Sequence, residues 1–600
     1  MPRCFLPGLL AFCLVAMPCA ALGMPGDPAD DVQKILSSER LAGAAWSLVD
    51  GAEIHIGAAG TRDAERGTAM RAGDRVHVGS ITKTLVALGL LRLASEGRID
   101  LDAPVSAVLA DIAFRNRWEE TDPVRIRHLL DHTAGLEDAR LWQMFSARVS
   151  PDDPLAAAFT RDASVLQVRT LPGERFSYSN IGYGLAGMMI EQVTGVRYEK
   201  WLAEHLLAPL GMRDSSFAFV SQTGPARDAL LAWGHQDDLT PVPAMPIALR
   251  PAGQFTTTAR DMAILARFLM GDGRLDGAVF VRSDLLRAMG RPTGTQAARA
   301  GLDTGYALGL VRRDRGGVIG LCHAGNIVGY HAMLCLYPEQ QKAFFVSINT
   351  DSETADYARI DAAMMQALGL EPSRQSDTAS TVDVSPWLGR YVPAPSRFAI
   401  QRYADLLAGG VSLERDSVGL AVTPFMGSPQ RLAPAGGHLL KGEGRVAPSH
   451  VLLRDADGIP LLSQGTRTFR MIGTLPLVWL WGTLALGTIG IAHFAIVAPV
   501  LARRRRSAVI GPGTAGVFGL LGAVSLLVFQ PLGSLGDPTA TNIVIALATL
   551  SLPLAMLWQA IAEGMKRRMY WRLNLAASVA VLLLCTVLMN YGLIPLMLWC

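Results

Sequence analysis

The sequence predicts an α/β unit in which early and late strands join one sheet around a helical middle, followed by a small all-β unit and a four-helix transmembrane tail. Three observations carry this expectation. Strand-like runs gather at both ends of residues 24–375, short alternating runs broken by Gly, Pro and Asp fill 384–471, and residues 473–600 hold charges only in clusters between long apolar stretches.

The elements follow in chain order. Arg3, an apolar stretch from Phe5 to Met17 and small residues up to Gly23 have the layout of a secretory signal peptide over residues 1–23. Its removal takes Cys4, Cys13 and Cys19 out of the count, leaving Cys322 and Cys335 in the soluble part and Cys585 and Cys600 in the tail. That is neither a disulfide scaffold nor a zinc cluster. Strands are expected at Ala44 to Val49, Glu53 to Ile56, Gly317 to His323, His331 to Tyr337 and Ala343 to Ile348. Cys322 and Cys335 lie on consecutive strands of this set, and whether they pair is left open. Ser376 to Asp383 reads as a linker into the all-β unit.

Bilayer-spanning stretches are expected at Gly473 to Val500, Thr514 to Gln530, Asn542 to Ala562 and Leu573 to Leu598. Arg503 to Arg506 follow the first, Lys566, Arg567, Arg568 and Arg572 precede the fourth, and Pro531 to Thr541 contains no Lys or Arg. By the positive-inside rule the basic loops face the cytoplasm and the large N-terminal part lies on the periplasmic or extracellular side of the inner membrane. His493 falls within the first expected span, where an ionisable group needs a partner, and helix packing and a part in transport both stay open for it. A net charge of +3 gives no field for gripping nucleic acid. The lipid bilayer and a small peptide or ester are the expected partners, no cofactor or metal is called for, and the oligomeric state is not encoded in any visible pattern.

Ser80-Ile81-Thr82-Lys83 opens a helical pattern running through Leu85, Leu88, Leu91 and Leu93. Positions three apart share a helix face, so a hydroxyl and an amine meet within one turn, beside backbone N–H groups able to hold an oxyanion. Alone the pattern equally describes an ordinary helix start. Two further segments add to it: Leu171 to Asn180, a Pro-Gly turn leading to Tyr178-Ser179-Asn180, and Leu321 to Asn326, a strand ending in His323-Ala324-Gly325. With Ile126 to Leu136 and Ala252-Gly253 to Asp261, these segments make residues 30–370 resemble the superfamily of class C β-lactamases, D-alanyl-D-alanine carboxypeptidases and related esterases.

The resemblance implies an antiparallel β-lactamase-like sheet with flanking helices and a helical subdomain. It implies Ser80 as nucleophile, Lys83 in the proton network, and Tyr178 as the group taking the serine proton, with a phenol pKa lowered by cations such as Lys83. It further implies Asn180 as a substrate ligand and an oxyanion hole from the N–H groups of Ser80 and Asn326, next to Gly325. His323-Ala324 departs from the Lys-Thr pair of β-lactamases. A partly charged imidazole would grip a substrate carboxylate weakly and in a pH-dependent way, which disfavours β-lactam hydrolysis. His128 and His132 are expected to be structural, and His235 to lie in a solvated loop. Three functions stay open: a peptidase or amidase on peptides containing D-residues, from wall or natural-product precursors; a carboxylesterase; and a catalytically silent membrane receptor.

Overall fold

The first and last strands of the α/β unit lie side by side, paired antiparallel from Ala44 opposite Ile348 to Asp50 opposite Lys342. The structure is a computed structural model that describes residues 26–372, 382–504, 511–566 and 570–599. The expected signal peptide, most of the linker and parts of both basic loops lie outside the described residues.

Eight strands form one sheet in the order Gly305–Ala307, Leu310–Arg315, Val318–Ile327, Tyr330–Tyr337, Lys342–Ile348, Gly43–Asp50, Glu53–Asp63 and Thr68–Ala69. Every neighbouring pair is antiparallel. All five expected strands are present, most of them longer at one end. On one face the helices Ala29–Glu39 and Ala358–Ala367 bury Val32, Leu36, Ile360 and Met364 against Trp46, Phe344 and Val346. The other face carries the larger core, into which the helix Thr82–Ser95 sinks. Its residues from Thr82 to Leu91 are all buried, so it is apolar around its circumference, as a helix enclosed on every side must be. Cys322 and Cys335 stand opposite each other across adjacent strands and form a disulfide.

The all-β unit is a closed barrel of eight strands from Gly389–Pro393 to Thr468–Ile472, whose first and last strands pair. Its interior is filled by Tyr391, Leu413, Val422, Leu440, Leu452, Leu462 and Phe469, the packing an eight-stranded barrel can hold without a cavity. It docks on the α/β unit beside the end of the sheet. There the buried Asp314 carboxylate accepts N–H bonds from Val446 (2.6 Å), Ala447 (3.1 Å) and Gly317 (3.1 Å). Leu439 and Val451 pack on Ala297 and Leu302 nearby.

Four helices, Thr474–Arg504, Pro512–Phe529, Ala540–Met565 and Trp571–Asn590, are long and apolar enough to cross a membrane. The fourth stops short of the expected Leu598. The loop between the second and third touches the α/β unit: Asp537 accepts from the Ser146 hydroxyl (2.5 Å) and the Ala147 N–H (3.0 Å), and the Gly536 N–H reaches the Phe145 carbonyl (2.8 Å). At the opposite end of the bundle His493 donates to Asn574 (2.8 Å), which with Gln559 donates to Glu563 (2.8 and 2.9 Å). His493 thus has a polar partner on a neighbouring apolar helix.

Asp314→Ala removes the acceptor for three N–H groups at the barrel contact, a loss worth about 1–3 kcal/mol for buried donors left unpaired. Hydrogen exchange at Val446 and Ala447 should accelerate while the Lys342–Ile348 strand stays protected. Unchanged exchange at those two amides would show that the barrel is held by other contacts.

Candidate active site

Ser80 sits on a short 3-10 turn, Gly79–Ile81, that leads into the buried helix. The turn is in backbone contact with the strand carrying Gly325. A Cβ on Gly325 would lie 1.8 Å from the Val78 carbonyl oxygen and 3.1 Å from the Ser80 nitrogen, so only glycine permits this approach. Gly79 is at φ +48°, and its own Cβ would meet the Asn326 carbonyl at 2.6 Å. The two glycines bring the peptide units of Ser80 and Asn326 face to face at the floor of a cleft of about 650 Å³.

Tyr178 is held by its neighbours on either side. The Ser177 N–H bonds the His132 carbonyl (2.7 Å) and the Ser177 hydroxyl the Leu136 carbonyl (2.9 Å). The Ser179 N–H bonds His132 Nδ1 (3.1 Å) and the Ser179 hydroxyl the Glu137 carbonyl (2.7 Å). The Asn180 N–H donates to Asp138 Oδ1 (2.7 Å) at the start of the helix Asn180–Thr194. The segment Ile126 to Leu136, recognised as a motif in the sequence, is therefore the cradle of the Tyr-x-Asn triplet.

The three expected catalytic side chains converge. Ser80 Oγ lies 2.8 Å from the Tyr178 hydroxyl and 2.9 Å from Lys83 Nζ, and Lys83 also donates to the Ala252 carbonyl (2.6 Å). Lys83 is fully enclosed. Burial, assisted by the Arg397 guanidinium and opposed by Asp138, pushes its ammonium down to about 7. Burial, with Asp138 adding to it, raises the Tyr178 phenol well above its ordinary value. This corrects the sequence expectation of a lowered phenol: Lys83 is buried with the tyrosine, so its charge is suppressed before it can stabilise a phenolate. The member of the cluster that gives up its proton within the neutral range is the lysine, and the tyrosine keeps its own. As a neutral amine Lys83 still donates to Ala252 and turns its lone pair to the Ser80 O–H, while the phenol donates to Ser80 Oγ.

His323 and Asn326 line the cleft with Asn180. His323 is a second correction. It is buried, Nδ1–H donates to the Ala324 carbonyl (2.6 Å), Nε2 accepts from the Tyr306 hydroxyl (3.1 Å), and burial together with Lys83 lowers its pKa to about 3. It is neutral throughout the working range, so the expected pH-dependent grip on a carboxylate has no basis. His235, expected in a solvated loop, is also buried, with Nδ1 bonded to the Asn349 carbonyl (2.8 Å) and Nε2 accepting from the Ala64 N–H (3.1 Å). His132 and His128 are structural as expected, His128 Nδ1 accepting from the Arg125 N–H at 3.2 Å.

Two participants were not singled out in the sequence. Asp138 lies two residues past the Ile126 to Leu136 motif, but its role depends on contacts far along the chain. Arg397 comes from the barrel, which the β-lactamase resemblance does not cover. Its Nε is 2.6 Å from Asp138 Oδ2 and its guanidinium carbon 4.5 Å from the centre of the Tyr178 ring.

The lysine assignment gives a direct expectation. Acylation of Ser80 should rise with pH through a midpoint of about 7, as the ammonium loses its proton, and then level off. His323→Gln should leave that midpoint in place, and Tyr178→Phe should slow acylation by about 10²- to 10⁴-fold at every pH. A limb centred near the ordinary lysine value of roughly 10.4 would contradict a neutral Lys83.

Comparison with known proteins agrees with this architecture. The Beta-lactamase family profile matches residues 29–369. Penicillin-binding protein 4 of Amycolatopsis lactamdurans is 26% identical over 311 residues, covering 50% of this chain and 79% of that one. Protein flp of Staphylococcus aureus strain MW2 is 23% identical over 330 residues, and the match spans 62% of its length. Among solved structures, that of SurE with D-Leu superposes with a TM-score of 0.50 at 24% identity, covering 74% of this chain and 98% of that one. With the family profile spanning more than half of its 600 residues, the chain belongs to the Beta-lactamase family.

Proposed function

We propose that this chain is a membrane-anchored serine hydrolase that works outside the cytoplasm through an acyl-enzyme on Ser80, and that its substrates are amides or peptides containing a D-residue. The observation that carries the reading is the hydrogen-bonded series Tyr178–Ser80–Lys83, with a buried amine whose pKa lies near 7.

In this mechanism the Ser80 oxygen attacks the scissile carbonyl as its proton passes to Lys83 Nζ. The carbonyl oxygen becomes an oxyanion facing the N–H groups of Ser80 and Asn326. As the carbon–nitrogen bond breaks, the leaving amine takes the Tyr178 proton, and the Lys83 ammonium restores it to the phenolate. Water then attacks the ester, giving its proton to the same pair as Ser80 Oγ departs with one. Protons balance over the cycle, and Lys83 and Tyr178 both return to their neutral forms.

A catalytically silent receptor would gain nothing from holding an amine in this enclosure, where burial works against its ionisation. D-residue specificity is supported by the sequence relationship to a penicillin-binding protein and by the fold shared with a protein solved with D-Leu. The neutral His323-Ala324 pair offers no fixed cation where β-lactamases carry lysine, which favours substrates lacking a carboxylate at that place and makes efficient penicillin hydrolysis unexpected. A carboxylesterase would use the same residues, and substrate profiling separates the two.

Full-length protein in detergent, treated with a fluorophosphonate, should gain one adduct, on Ser80, and Ser80→Ala should gain none. Against matched peptides differing only in configuration at the residue before the scissile bond, the D-form should be preferred by about tenfold or more in kcat/KM, equivalent to at least ~1.4 kcal/mol. An adduct that persists in Ser80→Ala would overturn the acyl-enzyme. Preference for the L-peptide, or turnover of esters alone, would overturn the substrate class.

A further inference from the structure

Between its first and second strands the barrel makes an excursion, residues 394–410, whose two ends reach different partners. One end lies in the catalytic cleft. Arg397 bonds the fully buried Asp138 carboxylate and covers the Tyr178 ring, its carbonyl accepts the Asp138 N–H (3.2 Å), and the Ala399 N–H donates to Glu137 Oε1 (2.5 Å). Asp138 in turn receives the N–H groups of Ala139 and Asn180, both at 2.7 Å, so it fixes the backbone immediately after Tyr178. The other end is the helix Arg402–Leu407. Its Tyr403 and Leu407 pack with Leu480 of the first membrane helix and Val587 of the fourth, and the rings of Tyr403 and Tyr591 lie 5.4 Å apart. A few residues of chain thus separate a contact on the catalytic tyrosine from a contact on the membrane bundle.

We propose that Arg397 is a positioning residue for the hydrolytic reaction, and that the excursion ties it to the first and fourth membrane helices, so that Tyr178 is held in its reactive place only while barrel and bundle are docked. The inference rests on the hydrolase reading above. Geometry is its basis: an arginine bonded through Nε to a buried carboxylate has a fixed plane, and a guanidinium stacked on a phenol ring limits the movement of that ring. Electrostatics adds a signature. The charges facing Lys83 are Asp138, which favours its ammonium, and Arg397, which disfavours it. The other titratable groups around it, Tyr178, Tyr183, His132 and His323, are kept neutral by burial.

The test uses full-length protein in lipid nanodiscs and a small uncharged fluorophosphonate, which needs no anion subsite, with Ser80 labelling rate followed across pH. Arg397→Gln should label about 10- to 100-fold more slowly than the parent, the scale expected when a reacting group is displaced by about 1 Å, with its pH midpoint moved upward. Arg397→Lys should recover the midpoint more than the rate, because it restores charge without the planar guanidinium that stacks on the Tyr178 ring. Asp138→Asn should move the midpoint in the opposite direction. Tyr403→Ala combined with Leu407→Ala, remote from the cleft, should also slow labelling, with the midpoint displaced in the Arg397→Gln direction.

Parental rate and midpoint in Arg397→Gln would overturn the positioning role. A normal Arg397→Lys midpoint and rate together would show that charge alone matters and the fixed geometry does not. Parental labelling in the Tyr403/Leu407 variant would overturn the tie to the membrane helices. Failure of the parent itself to label at Ser80 would instead reject the hydrolase reading beneath the proposal.

Discussion

The enclosure of one amine governs the arrangement of this molecule. Lys83 is wholly buried, and in such a place an ammonium is costly unless matched by an opposite charge. The structure supplies a partial match. Asp138 favours the charged form, but that carboxylate is shared with Arg397, and the direct contacts of Lys83 are the Ser80 hydroxyl and the Ala252 carbonyl. The amine is thereby poised between its two protonation states near neutral pH, and the raised phenol beside it remains a proton donor. Glycine at 79 and 325, the apolar surface of the helix Thr82–Ser95 and the cradle around Tyr178 all serve to keep water out of this place while leaving Ser80 open to the cleft.

Much of this was legible in the sequence, for identifiable reasons. The sheet strands announce themselves by short, mostly apolar runs at both ends of the α/β segment, and the four long helices by length and apolarity, because both signals are local. Ser80, Lys83, Tyr178 and Gly325 were visible because their chemistry imposes fixed spacing within short motifs. The errors concern environment. The motifs alone make a tyrosine near a lysine look acidified and a strand histidine partly charged, yet burial reverses the first and settles the second. Burial is a property of packing among distant segments, and neither residue's neighbours in sequence report it. Arg397 was invisible for the same reason carried further: it reaches Tyr178 from more than two hundred positions away, out of a unit that lies beyond the family profile.

The three units therefore meet around the cleft. Asp314 receives a barrel loop beside the sheet, residues 394–410 run from the Tyr178 ring to the long apolar helices, and Asp537 in a loop of the bundle grips the segment that carries Met144 into the cleft wall. The interhelical loop Pro531 to Thr541, which lacks basic residues, touches the α/β unit, so that loop and the α/β unit lie at the same end of the helical bundle. The polar series His493–Asn574–Glu563–Gln559 closes the far end.

With a pKa of about 7, Lys83 passes from ammonium to free amine within the neutral range, and this titration can be followed without any substrate. The chain contains only six lysines. Lys83→Arg would identify the Lys83 side-chain signal in full-length protein labelled at lysine with carbon-13 and nitrogen-15. Its Cε and Nζ shifts, followed by nuclear magnetic resonance across pH, should titrate with a midpoint of about 7. A Lys83 signal that stays in the ammonium position up to roughly pH 10, the ordinary lysine range, would contradict the account.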